Sequence, residues 1–265
     1  MIATGGRATA VLVGIPFVLA AAGWGAFTMV GLFAHTSEHH ESSYTWNGGE
    51  VSIDVGSGDV HVAAGTGSQI EIAYTEHYEL KKPTVTATTN GNGLQLRARC
   101  PGGIFSNNCE INYTVTLPTS AHLVVHTGDG GIDVADLTGG MSADSGNGGI
   151  TFDNVSGEIV AHTGDGGIRA TGLRSTSVQA KTGNGGISLE WAVPPTTVSA
   201  TTGDGGIHLT VPAGSGPYAV QASTGDGGKS IEVPTDPNAT PAIVAHTGNG
   251  GIVIDSDGED GRSSG

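Results

Sequence analysis

From Val51 onward the chain alternates apolar and polar positions in short runs. Val51-Ser-Ile53-Asp-Val55, Gln69-Ile70-Glu-Ile72-Ala-Tyr74, Leu94-Gln-Leu96-Arg-Ala98 and Ile111-Asn-Tyr113-Thr-Val115-Thr-Leu117 keep a period of two. That period predicts strands with one buried and one wet face. Asn90-Gly-Asn-Gly93, between the alternating runs 84–89 and 94–99, predicts a hairpin turn.

Beyond position 121 each alternating run ends in the same phrase. Thr127-Gly-Asp-Gly-Gly-Ile132 is followed by copies starting at Ser145, Thr163, Thr182, Thr202, Thr224 and Thr247, at intervals that lengthen gradually along the chain. Upstream the pattern runs Leu123-x-Val125-x-Thr127 or Ile159-x-Ala161-x-Thr163; downstream it runs Ile132-x-Val134 or Ile207-x-Leu209. Self-similarity at this period predicts stacked repeats, each a strand, a glycine-rich turn and a second strand. The fold class expected is therefore all-β: a single-chain β-solenoid, β-helix-like, preceded by one N-terminal transmembrane helix. Gly56-Ser-Gly-Asp-Val60 is a candidate degenerate copy, and Val60 precedes Ile132 by a whole multiple of the tightest repeat interval.

Stacking places equivalent residues above one another at about 4.8 Å. Thr127, Ser145, Thr163, Thr182, Thr202, Thr224 and Thr247 are expected to form a buried hydroxyl ladder, beside ladders of Ile and Ala. Asp129, Asn147, Asp165, Asn184, Asp204, Asp226 and Asn249 are expected to form a structural turn ladder capping nearby N–H groups. The turn glycines supply positive φ and leave no Cβ to strike the next coil. Lys229 stands where the other copies have Ile, and a shift bringing in Ile231 and Val233 is the expected compensation. The later inter-repeat segments gain Pro194, Pro195, Pro212, Pro217, Pro234, Pro237 and Pro241, which predicts longer loops on one edge.

The N-terminal part differs in kind. Residues 8–34 contain no Asp, Glu, Lys or Arg and include Val11, Leu12, Ile15, Phe17, Trp24, Phe27, Leu32 and Phe33. The run is long enough to cross a bilayer as a helix. The expected layout is a cytoplasmic N-terminus at 1–7, a transmembrane signal anchor at 8–34 and a polar stalk at 35–49. An N-terminal β region with a hairpin and a disulfide loop follows at 50–120, then the β-solenoid array at 121–255 and a disordered acidic tail at 256–265. Arg7 keeps the N-terminus cytoplasmic, so the repeats lie outside a cell membrane crossed once. Ala20-Ala21-Ala22 offers the alternative of a secreted chain after signal cleavage.

Charge narrows the partners. Ten Lys plus Arg against 25 Asp plus Glu give a net charge of −15, which excludes nucleic acid as the expected partner. Cys100 and Cys109, the two cysteines, close a short loop, and in an exported chain they are expected to be disulfide-bonded. His35, Glu38, His39, His40 and Glu41 crowd the stalk, but a flexible linker lacks the fixed geometry a metal needs. The Asp/Asn turn ladder invites calcium, but the second acidic position of a nonapeptide β-roll is missing, so no cofactor is expected. The row outside the Thr ladder (His126, Asp144, His162, Lys181, Thr201, Ser223, His246) reads as a solvated strand face. Arg169 and Arg174 near Asp165 are the closest approach to a polysaccharide-cleaving site, and neither nucleophile nor phosphate-loop signature is present.

The seven Thr/Ser-Gly-Asp/Asn-Gly-Gly phrases, over roughly positions 50–255, resemble the Gly-rich β-strand repeats of the bacterial putative-adhesin family, a domain of unknown function. The resemblance implies a non-enzymatic cell-surface protein, engaged in adhesion or envelope interaction with a surface protein or polymer. The alternatives are an envelope-stress accessory that binds a membrane partner or cationic peptide, and a carbohydrate-active β-helix enzyme.

Overall fold

A computed structural model describes residues 36–79, 81–102 and 109–257. Before the repeats come β1 (Thr36–Thr45), β2 (Val51–Ser57), β3 (Val60–Gly65), β4 (Gln69–Tyr78), β5 (Thr84–Asn90), β6 (Gly93–Arg99) and β7 (Glu110–Pro118). The phrases then give strand pairs: β8 (Leu123–Asp129) with β9 (Ile132–Ala135), β10 (Met141–Asn147) with β11 (Ile150–Asp153), and β12 (Ile159–Asp165) with β13 (Ile168–Leu173). The rest are β14 (Ser177–Asn184) with β15 (Ile187–Trp191), β16 (Thr197–Asp204) with β17 (Ile207–Val211), β18 (Ala219–Asp226) with β19 (Lys229–Ile231), and β20 (Ala242–Asn249) with β21 (Ile252–Ser256).

The strands form two facing mixed sheets. One has eleven strands in the order β1-β4-β7-β3-β9-β11-β13-β15-β17-β21-β19; the other has ten, β18-β20-β16-β14-β12-β10-β8-β2-β6-β5. Each glycine-rich turn carries the chain from the second sheet to the first, so each strand pair is one rung bridging both. Apolar positions at period two meet between the sheets: Ile132, Ile150, Ile168, Ile187, Ile207 and Ile252 are each 0–1% exposed. Their column is in register with Val60.

The expected fold class needs correcting. Among the described residues the chain is all-β, but it is not a solenoid of coils stacked in chain order. The sheets are mixed because β1 and β7 pair antiparallel with β4, and β5 pairs antiparallel with β6. Short connections such as the Asn90–Gly93 turn permit only antiparallel neighbours. Rungs also leave chain order twice. The β2–β3 rung sits between β6–β7 and β8–β9, so the degenerate copy is a rung, adjacent to the first full repeat. At the other end β20–β21 inserts between β16–β17 and β18–β19. The proline-bearing loops 212–218 and 232–241 span that skip. Residues 8–34, where the transmembrane helix was expected, lie outside the described residues. Among the described residues no helix is long and apolar enough to cross a membrane.

Two further expectations change. Of the segment read as a polar stalk, Thr36–Thr45 is strand β1, paired along its whole length with β4. Its alternation is polar throughout, so hydropathy hid it; the long β4 supplies the partner. Lys229 needs no shift: it pairs in register with Ile252 and is exposed, because its rung ends the stack. Its ammonium donates to the Ala222 carbonyl at 3.1 Å, across the open end.

Candidate functional site

The turn residues settle into three columns. The Thr/Ser hydroxyls at 127, 145, 163, 182, 202, 247 and 224 donate to the carbonyls of Gly58, Gly130, Gly148, Gly166, Gly185, Gly205 and Gly250 on the neighbouring rung, at 2.7–3.0 Å. The first six are 0–2% exposed; Thr224, on the terminal rung, is half-buried. These hydroxyls are spent on the fold. Cys100 and Cys109 form the expected disulfide, with Cα atoms 5.8 Å apart, joining the β6 and β7 ends.

The Asp/Asn column is exposed and ordered. In chain order it reads Asp129, Asn147, Asp165, Asn184, Asp204, Asp226, Asn249, with two acids in succession. The rung exchange puts Asn249 between Asp204 and Asp226, so acid and amide alternate without a break in space. The Asn147, Asn184 and Asn249 amides donate to Asp129, Asp165 and Asp204 respectively. A carboxylate beside an amide accepts a hydrogen bond; beside another carboxylate it would be repelled.

Part of the outer row of the ten-stranded sheet is also paired. Asp144 accepts from Nδ1 of His126 at 2.7 Å and of His162 at 2.8 Å. Asp54, which rung order sets beside His126, holds Arg97 at 3.3 Å and also Arg99. Sequence spacing could not place Asp54 there, because the β3–β7 segments separate it from His126 in the chain.

The groove lies on the other sheet. A channel of about 740 Å³ runs across the β11, β13, β15, β17 and β21 rungs. Its floor is the last glycine of each phrase: Gly149, Gly167, Gly186, Gly206 and Gly251. Its wall carries Thr151, Arg169, Ser188, His208 and Val253, and no carboxylate. Arg169 is exposed and makes no hydrogen bond or ion pair among the described residues. His208 is held by Asp255 at 2.8 Å. The carboxylates a polysaccharide-cleaving site would place beside Arg169 do not line the groove.

The two adjacent glycines of each phrase differ sharply. A Cβ on Gly185 would stand 2.1 Å from the Gly166 carbonyl oxygen, so the fold demands glycine there. A Cβ on Gly186 would meet its nearest backbone atom at 3.5 Å, on Gly149, Gly206 and Gly251 at 3.6 Å, and on Gly167 at 3.3 Å. The degenerate rung carries Asp59 at that position. Packing alone therefore does not require glycine in the groove floor.

A second cluster lies between β1 and β4, at the far end of the eleven-stranded sheet. Glu38 is directly opposite Glu76, and His40 opposite Tyr74. Glu76 is 2% exposed. Lys82 Nζ lies 2.6 Å from Glu38 Oε2 and 3.3 Å from Glu76 Oε2. The Tyr78 hydroxyl donates to Glu38 Oε1 at 2.7 Å. The Lys82 hydrogen bond, then that of Tyr78, holds the Glu38 carboxyl below its ordinary range. The same bond to Glu38 pushes Lys82 up. His40 stacks on Tyr74 at 4.8 Å, and Tyr74 leans on Tyr113 at 5.3 Å. Burial raises Tyr113, whose hydroxyl has no hydrogen-bond partner among the described residues. Of these residues Glu38 and His40 fall in the segment that the sequence predicts to be a flexible linker, and strand β1 fixes them instead. Glu76 and Lys82 lie beyond β2 and β3 in the chain, and no local pattern linked them to β1.

No curated protein matches the chain. Among solved structures it is similar to a putative cell adhesion protein from Clostridium sporogenes, at 13% identity and a TM-score of 0.44, covering 84% of this chain and 100% of that one. It is also similar to a putative adhesin from Bacteroides fragilis, at 14% identity and a TM-score of 0.40, covering 82% and 96%. The Toastrack DUF4097 family model matches residues 49–263, and the chain belongs to that family.

Proposed function

We propose that this is a non-enzymatic, membrane-anchored surface protein whose groove binds an extended envelope or surface partner, polymer or protein, laid across the rungs. The observation that carries the reading is the glycine floor. Five rungs keep glycine where a Cβ meets only ordinary or slightly tight contacts. Gly in a strand-like segment costs conformational entropy relative to Ala, so its retention is a stability sacrifice of the kind binding sites make. A bare floor lets a ligand approach the backbone closely, between the donors Thr151, Arg169 and Ser188. Residues 8–34 supply the anchor and the repeats face outward; the Cys100–Cys109 disulfide supports an oxidising compartment.

The test is binding of the full chain to cell-envelope fractions and intact cells. Gly186→Ala with Gly206→Ala should fold as the parent does and bind at least about tenfold more weakly, as a blocked contact implies. Arg169→Ala should also weaken binding. Unchanged binding in both variants sinks the groove as the site. Binding of a cationic peptide that is lost in high salt but untouched by the floor variants would replace it with recognition through the acidic surface.

A further inference from the structure

The cluster between β1 and β4 contains more negative charge than it neutralises. Glu38 and Glu76 face each other across adjacent strands, an arrangement that repels unless a cation bridges it. Lys82 supplies one positive charge for two carboxylates. Glu76 Oε2 is buried, and its contacts are an ion pair of 3.3 Å with Lys82 and one of 3.8 Å with His40 Nε2; neither is a hydrogen bond. His40 Nε2 is buried without a hydrogen-bond partner, and so is the hydroxyl of Tyr113, which is 1% exposed and feels the charge of Glu76. Glu76 Oε2, on a side chain 2% exposed, is therefore held by ion pairs alone, with no hydrogen bond to replace the water it lost, and an ion coordinated directly by the carboxylate would satisfy it.

We propose that Glu38, His40 and Glu76 form a binding site for a zinc-type divalent ion, with Lys82 as a tethered cation that gives way to it. One ligand atom from each residue lies within 4.8 Å of the others. His40 Nε2 stands 3.5 Å from Glu38 Oε2 and 3.8 Å from Glu76 Oε2. Ligands of tetrahedral zinc, bonded at about 2.0–2.1 Å, are separated by roughly 3.3–3.4 Å, so each carboxylate must close on His40 by up to a few tenths of an ångström, and the two carboxylate oxygens, within 4.8 Å of each other, by up to about 1.4 Å as Lys82 withdraws. One imidazole nitrogen with two carboxylates suits zinc, whereas calcium requires six or more oxygens. A divalent ion neutralises both carboxylates; the ammonium neutralises one. Lys82 is half-exposed in the β4–β5 connection, so its side chain can swing into solvent and leave the fourth position to water. The bound ion would fasten β1, the strand that follows the apolar segment 8–34, to β4.

The test is titration of the full chain with Zn²⁺ against a chromophoric chelator. One ion per chain is expected. His40→Ala and Glu38→Gln should each weaken binding at least about tenfold, the loss seen when even an outer partner of a zinc ligand is removed. Lys82→Gln should tighten it, since the competing charge is gone. If the cluster is only an ion-pair network, Lys82→Gln gains no zinc affinity, and that result overturns the proposal. Zinc binding that survives both His40→Ala and Glu38→Gln places the ion on other histidines and overturns it equally, as does an absence of binding by the parent chain.

Discussion

Gly185 and Gly186 are neighbours in one turn, yet they answer to different demands. Gly185→Ala drives a Cβ into the Gly166 carbonyl and should cost on the order of 3 kcal/mol, at the upper end of overpacking penalties. Gly186→Ala should be neutral or stabilise by about 0.4–1 kcal/mol, because it restricts the unfolded chain without a native clash. Urea denaturation of the two variants checks this, and equal losses would refute the distinction. Gly166→Val should be as damaging as Gly185→Ala, since its Cβ meets the Gly148 carbonyl oxygen at 2.2 Å. All these glycines look alike in the repeat. Only the position of the rung beside each one separates structural glycine from groove glycine.

At the scale of the element, the turn column and strand β1 carry the argument. Asn249→Asp would line up three carboxylates, Asp204, the new acid and Asp226, and delete the amide's bond to Asp204. The expected loss is about 1–2 kcal/mol at neutral pH, from one hydrogen bond plus repulsion between adjacent like charges. Melting temperatures should recover on adding salt or on acidification, and a salt-independent loss would point away from repulsion. For β1 the sign follows from Glu38. Its folded carboxyl titrates below the ordinary 4.5, so its pairing stabilises the fold above that value and is lost as pH falls beneath it. Protection of the β1 amides in hydrogen exchange, taken relative to the intrinsic rate at each pH, should therefore fall below about pH 4.5, the ordinary carboxyl value, with less change in Lys82→Gln. Alternation in β2, β4, β6 and β7 was legible because one face is apolar. In β1 the inward positions include Glu38, His40 and Ser42, so the same period carried no hydrophobic contrast.

At the scale of the whole molecule, the ends of the two sheets decide whether copies associate. Among the described residues no strand lies beyond β18 and β19, which finish the stack, and Ile231 is 40% exposed there. A Lys on an edge rung, at a position that is apolar in the interior rungs, deters pairing with another chain. Lys229→Ile should turn that end into an apolar, pairing-competent surface and raise the associated fraction in sedimentation velocity. A variant that sediments as the parent does would remove Lys229 from that role. The acidic balance of −15 acts alongside it, keeping like molecules apart.

The local chemistry was determined by the sequence: strands from the two-residue period, turns from the glycine phrase, the Thr/Ser column from its spacing, and the disulfide from the only two cysteines. These features depend on residues close in the chain or repeated identically. Rung order depended on contacts between distant segments, and tertiary structure alone decided it. It set Val60 beside Ile132, made Lys229 an end residue and placed Asn249 between two acids. The same holds for the charged cluster, where strand pairing brings Glu38 to Glu76 across the intervening β2 and β3. Periodicity reports which face of a strand is buried; it does not report which strand lies next to it.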